Sequence, residues 1–153
     1  MNKTESKPSS PAMPGHLIRR LHQISTQLFL ERVRKAGFDL TPVQFAALDA
    51  LQHEPGIDQA RLAEFTAKDR ATIGAVVDRL EQKGLVTRIV SRRDRRAREL
   101  TLTDKGKTVV AKLRPMVEQI QPEILPGLSE AEYHQFIALA QKATRAAASD
   151  KDS

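Results

Sequence analysis

Apolar residues recur at helical spacing along most of the chain, and the rhythm changes to alternation only once. Leu17, Leu21, Ile24 and Leu28 predict a first helix that Gly37 stops. Thr41-Pro42-Val43-Gln44 is a helix start: Thr41 can cap, Pro42 needs no N–H in the first turn, and Gln44 can reach back. Phe45, Leu48 and Leu51 give that helix its buried face, and Glu54-Pro55-Gly56 ends it. Asp58 can cap a short helix carrying Leu62 and Phe65, and Thr66–Lys68 form a tight break. Asp69 can cap the next helix, with Ile73, Val76, Val77 and Leu80 inward and Gly84 as a left-handed stop. Two short helices joined by a tight turn form the helix-turn-helix pattern.

Alternation follows at once. Strands are expected at Leu85–Ile89 and Leu100–Leu102, with Val86, Arg88 and Val90 on one face and Thr87, Ile89 and Ser91 on the other. Thr103 then caps a long helix through Val109, Val110, Leu113, Val117, Ile120 and Ile124, kinked at Pro115 and bent or ended at Pro122. Ser129 and Glu132 form a capping box that opens a last helix through Tyr133, Phe136, Ile137 and Leu139. The expected organisation is a tail at 1–15, a first helix at 16–40, a helix-turn-helix with a hairpin at 41–103, closing helices at 104–147, and a frayed tail at 148–153. The fold class is mainly α with a small β-hairpin wing. The end helices carry more apolar surface than the central module can cover. Pairing with a second subunit is expected, with Leu17, Leu21, Ile124, Phe136 and Leu139 in or near the interface.

Charge sharpens this picture. Among 153 residues the net charge is +6, and between Arg88 and Arg98 six arginines face one acid, Asp94. Charge so concentrated on a hairpin tip, directly after a helix-turn-helix, suits a polyanion such as double-stranded DNA. The bland alternative is a merely solvated turn. The chain has no cysteine, which removes disulfides and thiolate chemistry. His16, His22, His53 and His134 share no metal-ligand spacing, and no phosphate loop or nucleophile–base arrangement is evident, so neither an enzyme nor a cofactor is expected. No apolar run approaches the ~18 residues that would span a bilayer, and the polar first residues lack a signal-peptide core, so a cytoplasmic protein without membrane partners is expected.

On the recognition helix, about 100° per residue turns Arg70, Ala71, Gly74, Ala75 and Asp78 outward. Arg70 is the best base reader, through guanine O6 and N7, with a phosphate contact as the alternative. Thr72 is second. The small Gly74 and Ala75 allow close approach of the helix to DNA, or a thymine-methyl contact by Ala75. Arg79 can reach a phosphate, whereas Asp78 would repel one and is expected to pair with Arg79 or a neighbour. Arg88, Arg92, Arg93 and Arg95 are expected to hold phosphates.

The segments "VVDRLEQKGLVTR" (Val76–Arg88) and "DRRARELTLTDKG" (Asp94–Gly106) resemble the multiple-antibiotic-resistance regulator (MarR) family. Its Leu-x-x-x-Gly-Leu-Val-x-Arg segment, Asp-x-Arg wing tip and Leu-Thr-x-x-Gly ending fall here on Leu80, Gly84, Leu85, Val86, Arg88, Asp94, Arg96, Leu102, Thr103 and Gly106. The likeness extends over roughly residues 16–147. It implies a dimer with interlocked end helices, a short palindromic site, and repression relieved by a ligand. It also implies that Asp94 aims Arg96 into a minor groove. Some members of the family respond to aromatic carboxylates. By that analogy Arg20, His22, Ser25 and Phe29 on the first helix would hold an aromatic or phenolic carboxylate; an ion pair between subunits is the alternative for any one of them. A ligand-independent architectural module is the rival function, and a membrane-surface protein a third.

Overall fold

The computed structural model describes residues 12–66, 68–93 and 98–151, with the side chains of the last two left aside. Six helices and one hairpin follow in order: α1 (Pro14–Lys35), α2 (Pro42–His53), α3 (Gln59–Thr66), α4 (Arg70–Gln82), β1 (Val86–Val90), β2 (Arg98–Leu102), α5 (Asp104–Ile120) and α6 (Glu130–Lys151). The chain divides into two units between Glu118 and Gln119. No described helix is long and apolar enough to cross a membrane.

Local chemistry sets the element ends. At α2 both halves of the capping box form: the Gln44 amide donates to Thr41 Oγ1 at 3.2 Å, and the Thr41 amide donates to Gln44 Oε1 at 3.1 Å. The Arg61 amide donates to Asp58 Oδ1 at 2.8 Å and starts α3. Gly84 takes φ 73°, and the Leu85 amide reaches back to the Leu80 carbonyl at 3.0 Å. That left-handed step turns the chain from helix into strand.

The core of the first unit is built from one face of each element. Leu48 and Leu51 of α2, Leu62 of α3, Ile73, Val77 and Leu80 of α4, Leu100 of β2 and Leu113 of α5 are sealed from solvent. The hairpin is antiparallel, pairing Val86 with Leu102, Arg88 with Leu100 and Val90 with Arg98. Its inner face therefore carries Val86, Arg88, Leu100 and Leu102, as alternation predicts. A short contact extends it: the Leu100 amide donates to the Ile57 carbonyl at 2.9 Å, and the Gly56 amide to the Leu100 carbonyl at 3.0 Å. These bonds tie the start of α3 to the wing, with Asp58 bridged to Glu99.

The wing is rooted at one crossing. Thr103 Oγ1 donates to the Gly84 carbonyl at 2.6 Å and accepts from the Gly106 amide at 3.0 Å. The Thr103 amide donates to the Leu85 carbonyl at 3.0 Å. Gly106 is buried there, and a Cβ on it would fall on the Leu85 carbonyl oxygen. Here a glycine is required for lack of room, not for its backbone angles.

The second unit holds a 3-10 turn at Pro122–Ile124 and α6. Its capping box is formed: the Ser129 amide donates to Glu132 Oε1 at 2.9 Å, and the Glu132 amide to Ser129 Oγ at 3.2 Å. The Glu132 carboxyl is held below its usual range by the Ser129 backbone N–H and then its hydroxyl.

Three expectations change. The tail expected at 148–153 is helical through Lys151, because the alanine-rich stretch from Ala143 to Ala148 contains no breaker. Helix α1 begins at Pro14, inside the tail expected at 1–15, since proline suits a first turn. Phe65 is 47% exposed instead of facing the core, with the Arg61 guanidinium 5.1 Å from its ring centroid.

Candidate nucleic-acid interface

Helix α4 begins at a well-made cap. The Thr72 amide donates to Asp69 Oδ1 at 2.8 Å, and the Thr72 hydroxyl donates to Asp69 Oδ2 at 2.8 Å. The Thr72 backbone N–H, then its hydroxyl, holds the Asp69 carboxyl below its ordinary value. The hydroxyl proton of Thr72 is thus committed to the cap. Its expected second place in base reading is reduced to accepting a hydrogen bond.

With Ile73, Val77 and Leu80 buried against the core, Arg70, Ala71, Ala75 and Asp78 stand in solvent, and Arg79 beside them. This is the outward face expected, with one correction. Gly74 is half-buried, and a Cβ there would sit 3.1 Å from Gln59 Nε2 of α3. Gly74 thus borders the Gln59 side chain of α3; the helix periodicity carried no information about the angle between the two helices.

The arginines of the hairpin divide into two sets. Arg92, Arg93 and Arg98 are exposed. The Arg93 amide donates to Ser91 Oγ at 3.2 Å, and Ser91 is buried. Asp94, Arg95 and Arg96 lie outside the described residues, and with them the expected aiming of Arg96 by Asp94. Arg88 belongs to a different set, engaged by an acid of α4. Its side chain is 19% exposed, and Nη2 donates to Asp78 Oδ1 at 2.5 Å. Asp78 therefore pairs across to β1 and not with Arg79. Strand alternation already placed Arg88 on the inner face with Val86 and Leu100; that signal was available in the sequence.

The four ligand candidates on α1 do not form one group. Phe29 is 5% exposed and packs on Phe45 of α2, ring centroids 6.0 Å apart. It is a core residue, and its expected place against a ligand is corrected accordingly. Ser25 is half-buried, while His22 and Arg20 are exposed. Arg20 lies about 200° around the helix from His22, and its Nη1 donates to Gln23 Oε1 at 3.4 Å. An open groove of about 740 Å³ runs along α1, lined by His22, Thr26, Leu30 and Arg34 among others. Of the four candidates only His22 borders it.

No group of acidic, cysteine or histidine side chains that could hold a metal occurs among the described residues. Two successive helices, the second with an exposed basic face, and then an antiparallel hairpin bearing exposed arginines define a winged helix-turn-helix. Residues 38–97 match the family model described as the MarR family. The transcriptional regulator HosA of Escherichia coli O157:H7 is 32% identical over 127 residues, which cover 83% of this chain and 91% of that protein. Among solved structures, that of BpsR from Bordetella bronchiseptica, whose DNA binding is regulated by 6-hydroxynicotinic acid, superposes with a TM-score of 0.81 at 30% identity, covering 88% of this chain and 94% of that one. CouR, a transcriptional repressor bound to a 23-mer DNA duplex, gives a TM-score of 0.73 at 32% identity, covering 88% and 92%. This chain belongs to the MarR family of transcriptional regulators.

Proposed function

We propose that the protein is a repressor that binds a palindromic operator as a homodimer in the cytoplasm and is released by a small aromatic or phenolic carboxylate. The observation that carries the DNA reading is the pairing of an exposed basic face on α4 (Arg70, Arg79) with exposed arginines of the hairpin (Arg92, Arg93, Arg98). Helix side chains would read base edges while the turn arginines hold backbone or enter a minor groove. Arg70 sits in the first turn of α4, the part of a recognition helix that meets base edges.

Two further observations support the rest. Leu17 and Ile18 of α1 are 47% and 65% exposed, and Leu139 of α6 is 58% exposed, which leaves apolar surface for a second copy to cover. The likeness to BpsR and CouR supports an aromatic-acid effector and a repressor's sign of action. A dimer presenting two copies of α4 fits a palindrome with half-sites ~34–36 Å apart, and a ligand acts by favouring a dimer in which that spacing is wrong.

The test is a titration of labelled duplexes drawn from DNA flanking the protein's own gene, against a scrambled duplex, with sedimentation of the free protein. The reading expects a dimer at micromolar concentration and one duplex bound at least ~10³-fold more tightly than scrambled DNA. 6-Hydroxynicotinic acid and related hydroxylated aromatic acids should reverse the binding. A monomer, or equal affinity for all duplexes, overturns it. Specific binding that no aromatic acid relieves overturns the effector part and leaves a ligand-independent module.

A further inference from the structure

We infer that Arg88 and Asp78 form a latch that fixes the recognition helix relative to the wing, and that Arg88 is a positioning residue which makes no contact with phosphate. The inference rests on the DNA-binding reading above and goes further in assigning these two side chains. Charge alone argues the opposite for both. Arg88 is one of six arginines between positions 88 and 98, and so counts among a basic cluster. Asp78 is an acid on the exposed side of α4, where it repels the polyanion that the helix is to meet.

The geometry resolves both oddities. Arg88 stands opposite Leu100 in the hairpin, and Leu100 is wholly buried. Its side chain therefore enters the space between β1 and α4, which pack on each other. Nη2 donates to Asp78 Oδ1 at 2.5 Å, while Nε is buried without a hydrogen-bond partner among the described residues. A guanidinium so enclosed needs a fixed anion, because an unpaired buried charge is expensive. Asp78 is 58% exposed in its side chain, so it stands at the solvent rim and holds the guanidinium from there. The pair has no net charge and adds nothing to long-range attraction of DNA. It links the two elements that must engage one duplex together.

Two tethered contacts reinforce each other only when their separation matches the target. Freedom between α4 and the wing would spread that separation over many values. Binding to the cognate site, which needs both contacts in register, would then weaken. Binding to arbitrary DNA, which needs only charge, would not.

The full-length protein carrying Asp78→Asn, Arg88→Gln, Arg88→Lys or the Asp78→Asn/Arg88→Gln pair is titrated with cognate and scrambled duplexes at several salt concentrations. Melting curves accompany each variant, and Asp78→Asn is nearly isosteric at a largely exposed position, so it keeps the fold. Asp78→Asn should weaken cognate binding by about tenfold, although it removes a negative charge, and leave scrambled binding equal or slightly tighter. Arg88→Gln should lose a similar factor with the salt slope unchanged. The pair should be no worse than either single change, and Arg88→Lys should recover part of the loss. If Arg88→Gln lowers the slope by about 0.9, Arg88 holds a phosphate and the inference is wrong. If Asp78→Asn tightens both duplexes equally, the pair positions nothing. If the unaltered protein does not distinguish the duplexes, the proposed function fails instead. The latch is then judged by non-additive melting shifts of the single and double variants: additive shifts overturn it.

Discussion

Replacing Gly106 by alanine should destabilise the protein, although alanine is the better helix former. The change adds one methyl group at the third position of α5. In an open helix it would stabilise by roughly 0.5–1 kcal/mol. Here the added carbon falls on the Leu85 carbonyl oxygen and lies 3.1 Å from the Leu85 carbonyl carbon and 3.3 Å from Leu102 Cδ2. Two of those three atoms are backbone, held by the Thr103-to-Leu85 bond and by the Gly84 turn. Neither can rotate away, so the start of α5 must lift from the foot of β1. Lifting stretches two hydrogen bonds, each worth about 1 kcal/mol net, and adds an overpacking cost of about 1–3 kcal/mol. Set against the helix gain, the balance is about 3 kcal/mol of destabilisation. For a chain of this size that lowers the melting temperature by about 6–12 °C. Scanning calorimetry at one fixed protein concentration reads it, since the proposed dimer would make melting concentration-dependent. Gly127→Ala is the control, because nothing stands within 4 Å of a Cβ there; it should stay within ~0.5 kcal/mol of the unaltered protein. A Gly106→Ala protein that melts at or above the original temperature would refute the close approach.

Three other outcomes are expected. Arg92→Ala and Arg93→Ala should each weaken cognate and scrambled duplexes alike and flatten the slope of log affinity against log salt by about 0.9, read by fluorescence anisotropy. Phe29→Ala should cost about 3 kcal/mol in chemical denaturation, because it empties a site packed on Phe45; a ring that only lined a ligand groove would cost far less. Asp69→Ala should lower the melting temperature at neutral pH by removing the start of α4. The folded-state pKa of Asp69 is lowered by the Thr72 amide. Its contribution is therefore complete above the unfolded value near ~4 and is lost as pH falls through the folded value. The two melting curves should converge in acid, and a gap that persists there would place the cap's effect elsewhere than in the ionised carboxylate.

The elements were legible wherever their ends rest on local chemistry. Thr41 with Gln44, Asp69 with Thr72, Gly84 with Leu85 and Ser129 with Glu132 act within a few residues of each other, and sequence spacing is enough to read them. Family motifs had a physical content that spacing did not reveal. The Thr103 and Gly106 of the Leu-Thr-x-x-Gly ending are the cap and the close approach that root the wing. The outward face of α4 was readable except at Gly74, where burial depends on how α3 crosses α4. The Arg88–Asp78 pair and the bond from Leu100 to Ile57 depend on which elements become neighbours, and helical or strand period does not encode that. Phe29 fails for a related reason: a helical wheel locates an apolar stripe but not which part of it α2 will cover.

The rooting of the wing separates two kinds of change. The crossing at the hairpin's foot is bonded through Gly84, Leu85, Thr103 and Gly106, outside the run of arginines. On the proposed reading, substitutions between Arg92 and Arg98 therefore alter how DNA is held while leaving that foot built. If the proposed function holds, a descendant of this chain could change its hold on DNA through these residues at little risk to its folding. Change at the foot would be tested first by whether the protein survives, before any question of what it binds.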